Sequence, residues 1–232
     1  MQVKKYRKQE QCFLIEGAKS VQELLASDFE VVQLLATSGF LANVAGSLKG
    51  EVIEVSEKSL EGMGEFQTNS TALAVAKLKP NKPILVSDNE YGLVLDDIRD
   101  PGNLGTIIRT ADWYGIDKII VSPETADFYS PKVIQATMGS FTRVNIYSTM
   151  LSDYLSDTKL PVYGAFLEGA HVHGVKFPPG GFIVVGSESH GISAELEPLI
   201  SQKITIPRFG RAESLNAAIA TAVICDNLRR RD

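Results

Sequence analysis

Six short strand-like runs, at 92–95, 118–121, 144–146, 162–166, 182–185 and 203–206, recur along the second part of the chain, with helical stretches at 103–114, 131–138, 151–155 and 215–229 between several of them. Runs that are apolar without alternation mark strands buried on both faces, and the helices between them are the crossovers that parallel strands require. The pattern predicts an α/β fold with a mainly parallel sheet covered on both faces. A smaller alternation precedes it: short apolar runs and helical patterns follow one another at 13–15, 18–26, 31–35, 41–48, 52–55 and 71–76, which reads as a small α/β unit. Between the two, Lys77-Leu78-Lys79-Pro80-Asn81-Lys82-Pro83 breaks the periodicity, because its two prolines forbid regular helix and it carries three lysines but no carboxylate. A boundary placed there divides the chain into 1–79 and 80–232.

The 232 residues suffice for one large domain or two modest ones, and 44% hydrophobic with 22% charged residues is ordinary for a globular chain. With 23 Lys+Arg against 28 Asp+Glu the formal charge is −5, so no bulk attraction to nucleic acid or anionic lipid is expected and a polyanionic partner must use local patches. Two basic clusters exist, Lys4, Lys5, Arg7 and Lys8 at the start and Arg229, Arg230 and Arg231 at the end, each either a set of phosphate contacts or solvated terminal charge. No apolar run approaches the roughly 20 residues that span a bilayer, and the first ten residues lack a signal-peptide core, so a cytosolic protein with no membrane partner is expected. Cys12 and Cys225, far apart and outside any ligand spacing, read as buried small hydrophobes rather than a disulfide or zinc pair. His171-x-His173 puts two imidazoles on one face of a strand but lacks a carboxylate at ligand spacing, and no metal site is expected. Neither G-x-G-x-x-G nor a phosphate-binding G-x-x-x-x-G-K-[ST] occurs, and the one near match to G-x-S-x-G has Glu188 at the serine position.

Three segments carry chemistry. In the first, Asp100-Pro101-Gly102-Asn103 turns a strand into a helix that carries Arg109. A helix starting at the C-terminal end of a strand is a natural anion site. The purely structural alternative has Asn103 capping the helix and Arg109 paired with Asp100 or Asp112. In the second, a buried strand empties into Gly186-Ser187-Glu188-Ser189-His190-Gly191, a polar loop bounded by glycines, with Glu188 either functional, in solvent, or capping near Ser193. The third runs from Ile206-Pro207-Arg208-Phe209 through Ser214-Leu215-Asn216 into a small-residue helix that Ser214 or Asn216 is placed to cap.

Together, in this order, the three segments resemble the motifs of the SpoU (TrmH-like) family of RNA 2′-O-ribose methyltransferases in the SPOUT superfamily. The likeness covers 91–229, and Phe13-Leu14-Ile15-Glu16-Gly17 with the helix after it resembles the L30e-like substrate-binding domain of the ribosomal-RNA members. The resemblance implies a parallel sheet tied in a C-terminal trefoil knot, S-adenosylmethionine as cofactor, and homodimers that receive RNA across the interface. It implies a catalytic pocket of Asn103, Arg109, Glu188, Ser214 and Asn216. Cofactor contacts would come from Gly186, Ile206 and Leu215, with the Phe166-Leu167 turn nearby. It makes Lys4, Lys5, Arg7 and Lys8 candidate RNA contacts. Since a guanidinium stays protonated, Arg109 is expected to stabilise the developing alkoxide or hold a phosphate, with Glu188 orienting it and Ser214 and Asn216 shaping the ribose site. Ribosomal RNA is favoured over transfer RNA because of the N-terminal domain. The competing readings are a non-catalytic RNA-binding or ribosome-assembly factor and a hydrolase using Ser189 or Ser214 with His190.

Overall fold

The computed structural model describes residues 3–44, 50–66 and 68–230. The part of the expected 41–48 run at 45–48, and Arg231, lie outside the described residues. The chain forms two compact units, one of Met1–Pro80 with Asp127–Arg143 and one of Asn81–Ala126 with Val144–Asp232.

In the first unit α1 (Lys4–Glu10) leads into β1 (Cys12–Glu16), α2 (Ala18–Leu25), β2 (Val31–Ala36), the single turn α3 (Ser38–Leu41), β3 (Glu51–Glu54), α4 (Glu57–Met63) and β4 (Ala72–Lys77). The sheet order is β1-β4-β2-β3, with β4 antiparallel to both β1 and β2, and β2 parallel to β3. Every residue of β1 is buried. Helix α1, absent from the sequence reading, corrects one expected RNA contact: Arg7 is only 4% exposed and its guanidinium lies 2.6 Å from the carboxylate of Asp127. Lys4, Lys5 and Lys8 remain exposed on the same helix.

The second unit begins where Asn81 exchanges hydrogen bonds of 2.9 Å with the backbone of Ser148. It continues through β5 (Tyr91–Leu95), α5 (Pro101–Trp113) and β6 (Lys118–Val121). The chain then leaves it: Asp127–Arg143, containing α6 (Pro131–Thr137), belongs to the first unit, where α6 packs on β1. The sequence reading assigned this helix to the second part. The residues on either side of it close a ring cluster, with Phe13 at 4.7 Å from Tyr129 and 6.0 Å from Phe141 between centroids, and Val133 and Ile134 of the helix are buried. After β7 (Asn145–Ser148) and α7 (Leu151–Ser156), the chain makes β8 (Val162–His171), β9 (Gly181–Val185), β10 (Gln202–Thr205) and α8 (Ala217–Arg229).

All pairings in this second sheet are parallel, in the order β10-β8-β9-β5-β6-β7. The central strands β5 and β9 are buried throughout, which is why their sequences do not alternate. Strand β8 runs five residues further than expected, and its partner on β10 jumps from Gly164 to Ala170, so 165–169 bows out of the ladder around Phe166 and Leu167. Helix α8 packs on α5 through Ala218, Thr221 and Cys225, all buried, and Arg229 at its end donates to the carbonyls of Tyr114 (2.7 Å) and Gly115 (3.0 Å) where α5 stops. Arg229 thus caps a helix rather than standing as terminal charge. No helix among the described residues is long and apolar enough to cross a membrane.

Candidate active site

The first helix of the second unit is capped one turn earlier than Asn103. The carboxylate of Asp100 accepts the Asn103 N–H at 2.7 Å and Pro101 occupies the first helical position, both standard devices for starting a helix. Asn103, at the third position, is thereby released from capping. Its Nδ2 donates to Glu188 Oε1 at 2.9 Å.

Glu188 rides on the loop after β9, and that loop is held by its own backbone. Ser187 and Gly191 exchange two hydrogen bonds, of 3.1 and 2.9 Å, and Gly191 has φ +70°. A Cβ on Gly186 would lie 2.1 Å from the Gly191 carbonyl carbon and 2.3 Å from the Ile192 nitrogen. The glycine expected to admit a ligand therefore first admits the returning chain. Asp96, at the end of β5, accepts the Ser193 N–H at 2.7 Å and pins the far side of the loop. Its neighbour Asp97 takes a left-handed conformation (φ 58°) with its N–H donated to Ser122 Oγ. Neither aspartate was singled out from the sequence, although their place at the end of a buried strand was a usable signal.

Asn216 caps α8 and serves the cluster at once. Its Oδ1 accepts the N–H groups of Ala218 (3.0 Å) and Ile219 (3.3 Å), while Nδ2 donates to Asn103 Oδ1 (2.8 Å) and Glu188 Oε1 (2.7 Å). The Ala217 N–H reaches the same Glu188 oxygen at 3.3 Å. Glu188 Oε1 thus collects three donors from two helices, and Oε2 accepts none among the described residues.

The structure brings Asn103, Glu188 and Asn216 together and leaves Arg109 and Ser214 apart from them. Arg109 is exposed, and no hydrogen bond or ion pair joins it to another described residue. It pairs with neither Asp100 nor Asp112, and Glu188 does not orient it; the carboxylate is occupied by the two asparagines instead. Ser214 is exposed and caps nothing. Of the expected cofactor residues, Leu167 is 76% and Leu215 47% exposed, Ile206 and Gly186 are half-buried, and Phe166 lies half-buried under the Lys203 ammonium, 4.6 Å from its ring centre. Thr205 Oγ1 donates to the Leu167 carbonyl at 3.0 Å, tying the bowed segment of β8 to the end of β10.

The other candidates separate from this cluster. Strand β8 ends at His171, and His173, on the turn beyond it, lies 2.9 Å from Asn227 Oδ1, so the two imidazoles do not share a strand face. Ser189 Oγ is 2.8 Å from His190 Nδ1, but no carboxylate bonds that imidazole among the described residues, so a serine triad lacks its third member.

A wholly parallel sheet with its polar cluster on loops at the C-terminal ends of the strands defines an open α/β domain, with its candidate ligand site where such sheets bind ligands. The SpoU rRNA methylase family profile matches residues 90–226 and the MRM3-like substrate-binding domain matches residues 1–74. The chain belongs to the SpoU rRNA methylase family. It is 30% identical over 235 residues to the 23S rRNA (guanosine(2553)-2′-O)-methyltransferase RlmP of Bacillus subtilis (strain 168), covering 99% of this chain and 93% of that one. A TrmH-family protein from Porphyromonas gingivalis superposes with a TM-score of 0.90 at 37% identity over 100% of this chain and 94% of the other. An AdoMet-bound rRNA methyltransferase from Sinorhizobium meliloti gives a TM-score of 0.87 at 30% identity over 98% and 90%.

Proposed function

We propose that this protein transfers a methyl group from S-adenosylmethionine to a ribose 2′-hydroxyl of RNA, with ribosomal RNA as the substrate, in the cytoplasm. The observation that carries the reading is the gathering of Asn103, Glu188 and Asn216 at one carboxylate oxygen, with the exposed, uncommitted guanidinium of Arg109 further along the same helix. Relatives that act on or are named for ribosomal RNA support the choice of substrate.

The residues present fit the cofactor. Leu167 on the bowed segment of β8 and Leu215 on the loop after β10 expose apolar side chains that an adenine-sized ligand would cover, and Ile206 and Phe166 are half-buried. When bound, S-adenosylmethionine supplies a methyl group on a sulfonium, which already has a good leaving group. The chain's part is to hold the hydroxyl in line and to stabilise the oxygen as it becomes an ether, the hydroxyl proton passing to solvent water. Asn103 and Asn216 shape the ribose site as a pair locked by Glu188. Arg109 stabilises developing negative charge or grips the flanking phosphate in a bidentate contact.

Arg109 is six residues beyond Asn103, which puts it about 9 Å along α5 and about 120° around it. One small pocket does not receive both from a single helix, so the reading includes a homodimer in which Arg109 of a second copy completes the site. The knot implied by the family resemblance belongs to the same proposal.

Two experiments test it. Purified protein incubated with labelled S-adenosylmethionine and RNA from cells lacking the protein should give a labelled 2′-O-methyl nucleoside. Arg109→Ala should abolish the label, and Arg109→Lys, which keeps charge but loses the fork, should reduce it at least about tenfold. Mixing inactive Arg109→Ala with inactive Glu188→Gln should restore about a quarter of wild-type turnover if sites are shared across a two-fold dimer. No restoration removes the shared site, and near-normal Arg109→Lys turnover removes the bidentate role.

A further inference from the structure

Residues 206–216 join β10 to α8, and both ends of this loop are fixed. Just before it, Thr205 Oγ1 donates to the Leu167 carbonyl at 3.0 Å, and at its far end Asn216 is bound into the cluster with Asn103 and Glu188. Between them every residue from Arg208 onward is exposed. Pro207 stiffens the way in, and Arg208 Nη1 donates to the Ala212 carbonyl at 3.3 Å, which folds the segment into a turn. Phe209 stands on that turn, 96% exposed, and among the described residues no other ring and no cation packs against it. A Cβ on the adjacent Gly210 would meet nothing within 4 Å, so the space there is open too.

A single exposed apolar side chain is ordinary on a protein surface. What distinguishes this ring is its neighbours. Trp113, 83% exposed, is preceded by the carboxylate of Asp112, whereas Phe209 lies between Arg208 and Arg211. The Arg211 guanidinium makes no hydrogen bond or ion pair with another described residue, and Arg208 keeps donors beyond the one spent on Ala212. Two arginines against the single carboxylate of Glu213 leave the loop basic in a chain whose formal charge is −5. Apart from Phe209, 208–214 carries no large apolar side chain, so the turn lacks the apolar core on which a protein partner would be seated. Asn216 is seven positions on, at most about 25 Å of extended chain, and the turn shortens that reach.

We propose that Phe209 stacks on one base of the substrate RNA close to the methylated nucleotide, with Arg208 and Arg211 on the phosphates that flank it. Single strands are held in this way, by aromatic side chains against base faces and by cations along the backbone. The loop offers that base a ring face and no set of edge contacts, so it accepts any of the four bases and fixes where the strand lies rather than which sequence it has. The inference rests on the RNA-methylation reading for its ligand.

The test uses the full chain and fluorescein-labelled RNA dodecamers followed by anisotropy, one of oligoadenosine and one of the same length without bases. Phe209→Ala should weaken binding of oligoadenosine about tenfold and leave the abasic strand unchanged, since only the first can stack. Arg211→Gln should weaken both several-fold and make the log–log salt dependence shallower by about 0.7. The chain has one tryptophan, so Trp113→Phe combined with Phe209→Trp puts the only indole on the turn. Its emission should be quenched by oligoadenosine and not by the abasic strand, at close to wild-type affinity. Phe209→Ala should melt with the wild type, because the ring is almost wholly exposed. In the transfer assay its KM for RNA should rise about tenfold, more than kcat falls. Undiminished binding by Phe209→Ala, an equal loss on both strands, or no binding of either strand by the wild type overturns the stacking site. So does weaker binding of S-adenosylmethionine by Phe209→Ala without RNA, which would give the ring to the cofactor. A change in the variant's sedimentation without RNA would give it to a contact between two copies, and overturns the site as well. Methyl transfer by Phe209→Ala at unchanged KM would count against the stacking site alone. Indole quenching in a protein that methylates no RNA would remove the proposed activity and leave the stacking site standing.

Discussion

Glu188 Oε1 takes hydrogen bonds from Asn103, Asn216 and the Ala217 N–H, and this concentration makes it the residue on which the cluster's geometry depends. Glu188→Gln replaces an acceptor that has no donors of its own with an amide that must turn two hydrogens somewhere. It should lower methyl transfer about a hundredfold or more while leaving the melting temperature within a degree or two, because the side chain is exposed; single-turnover kinetics beside a thermal melt check both halves. These three residues were legible because an asparagine at a strand-to-helix turn, a glutamate between glycines and an asparagine ahead of an alanine-rich helix are local signals. Arg7 was not. Its partner Asp127 is 120 residues away, so nothing near Arg7 distinguishes it from the exposed lysines beside it. The same limit hid the orientation of Glu188, which chose two amides over the guanidinium that its charge suggested.

Helices α5 and α8 each start with a side-chain cap, and the division of labour at those caps separates stability from chemistry. Asp100→Ala removes a cap that touches only its own helix, costing about 1 kcal/mol and about 2–4 °C in melting temperature. Asn216→Asp keeps an oxygen for the Ala218 and Ile219 N–H groups but loses the donor to Asn103 and sets a second carboxylate beside Glu188. It should therefore melt close to wild type and turn over poorly, a combination that calorimetry and a transfer assay on the same preparation would reveal. On the β9 loop, Gly186→Ala drives a methyl into the backbone at Gly191 and Ile192, so the loop must open. Loss of cofactor binding by calorimetry should accompany loss of turnover. The central strands β1, β4, β5 and β9 could be read from sequence because their runs are apolar and buried. Helices α1 and α4 could not, since each buries a single side chain, Arg7 in one and Leu60 in the other, and so has no stripe to see. The extra length of β8 was hidden by its exposed outer half.

Across the molecule, stability should fall at alkaline pH in both units. Burial pushes the Cys225 thiol from its ordinary 9.0 up to about 12 and the Tyr129 hydroxyl from 10.0 up to about 12, so in the folded chain both resist losing a proton that the unfolded chain gives up. The stability they contribute is complete below about 9, and declines as pH climbs toward 12. Melting curves at pH 8, 10 and 11.5 should show this loss, with a shallower slope in Cys225→Ala. At the acid end, the hydrogen bond from Lys118, aided by Ser87, holds the Glu90 carboxyl down to about 2, so its contribution stands above about 4.5 and is withdrawn as pH approaches 2. The prolines suggest a break at 79/80, and the first compact unit runs to Pro80 but also takes in Asp127–Arg143, which no local signal marks because nothing nearby says which sheet a helix will cover. That route has a consequence for how such a chain can be inherited and altered. A gene cut at residue 80 would not release an intact module: the front piece would lose the rings of Tyr129 and Phe141 that close over Phe13, and the back piece would carry them as an orphaned greasy loop. Recombination at that seam should yield two insoluble halves, so the two units, interleaved in sequence, have to evolve together rather than be exchanged as cassettes.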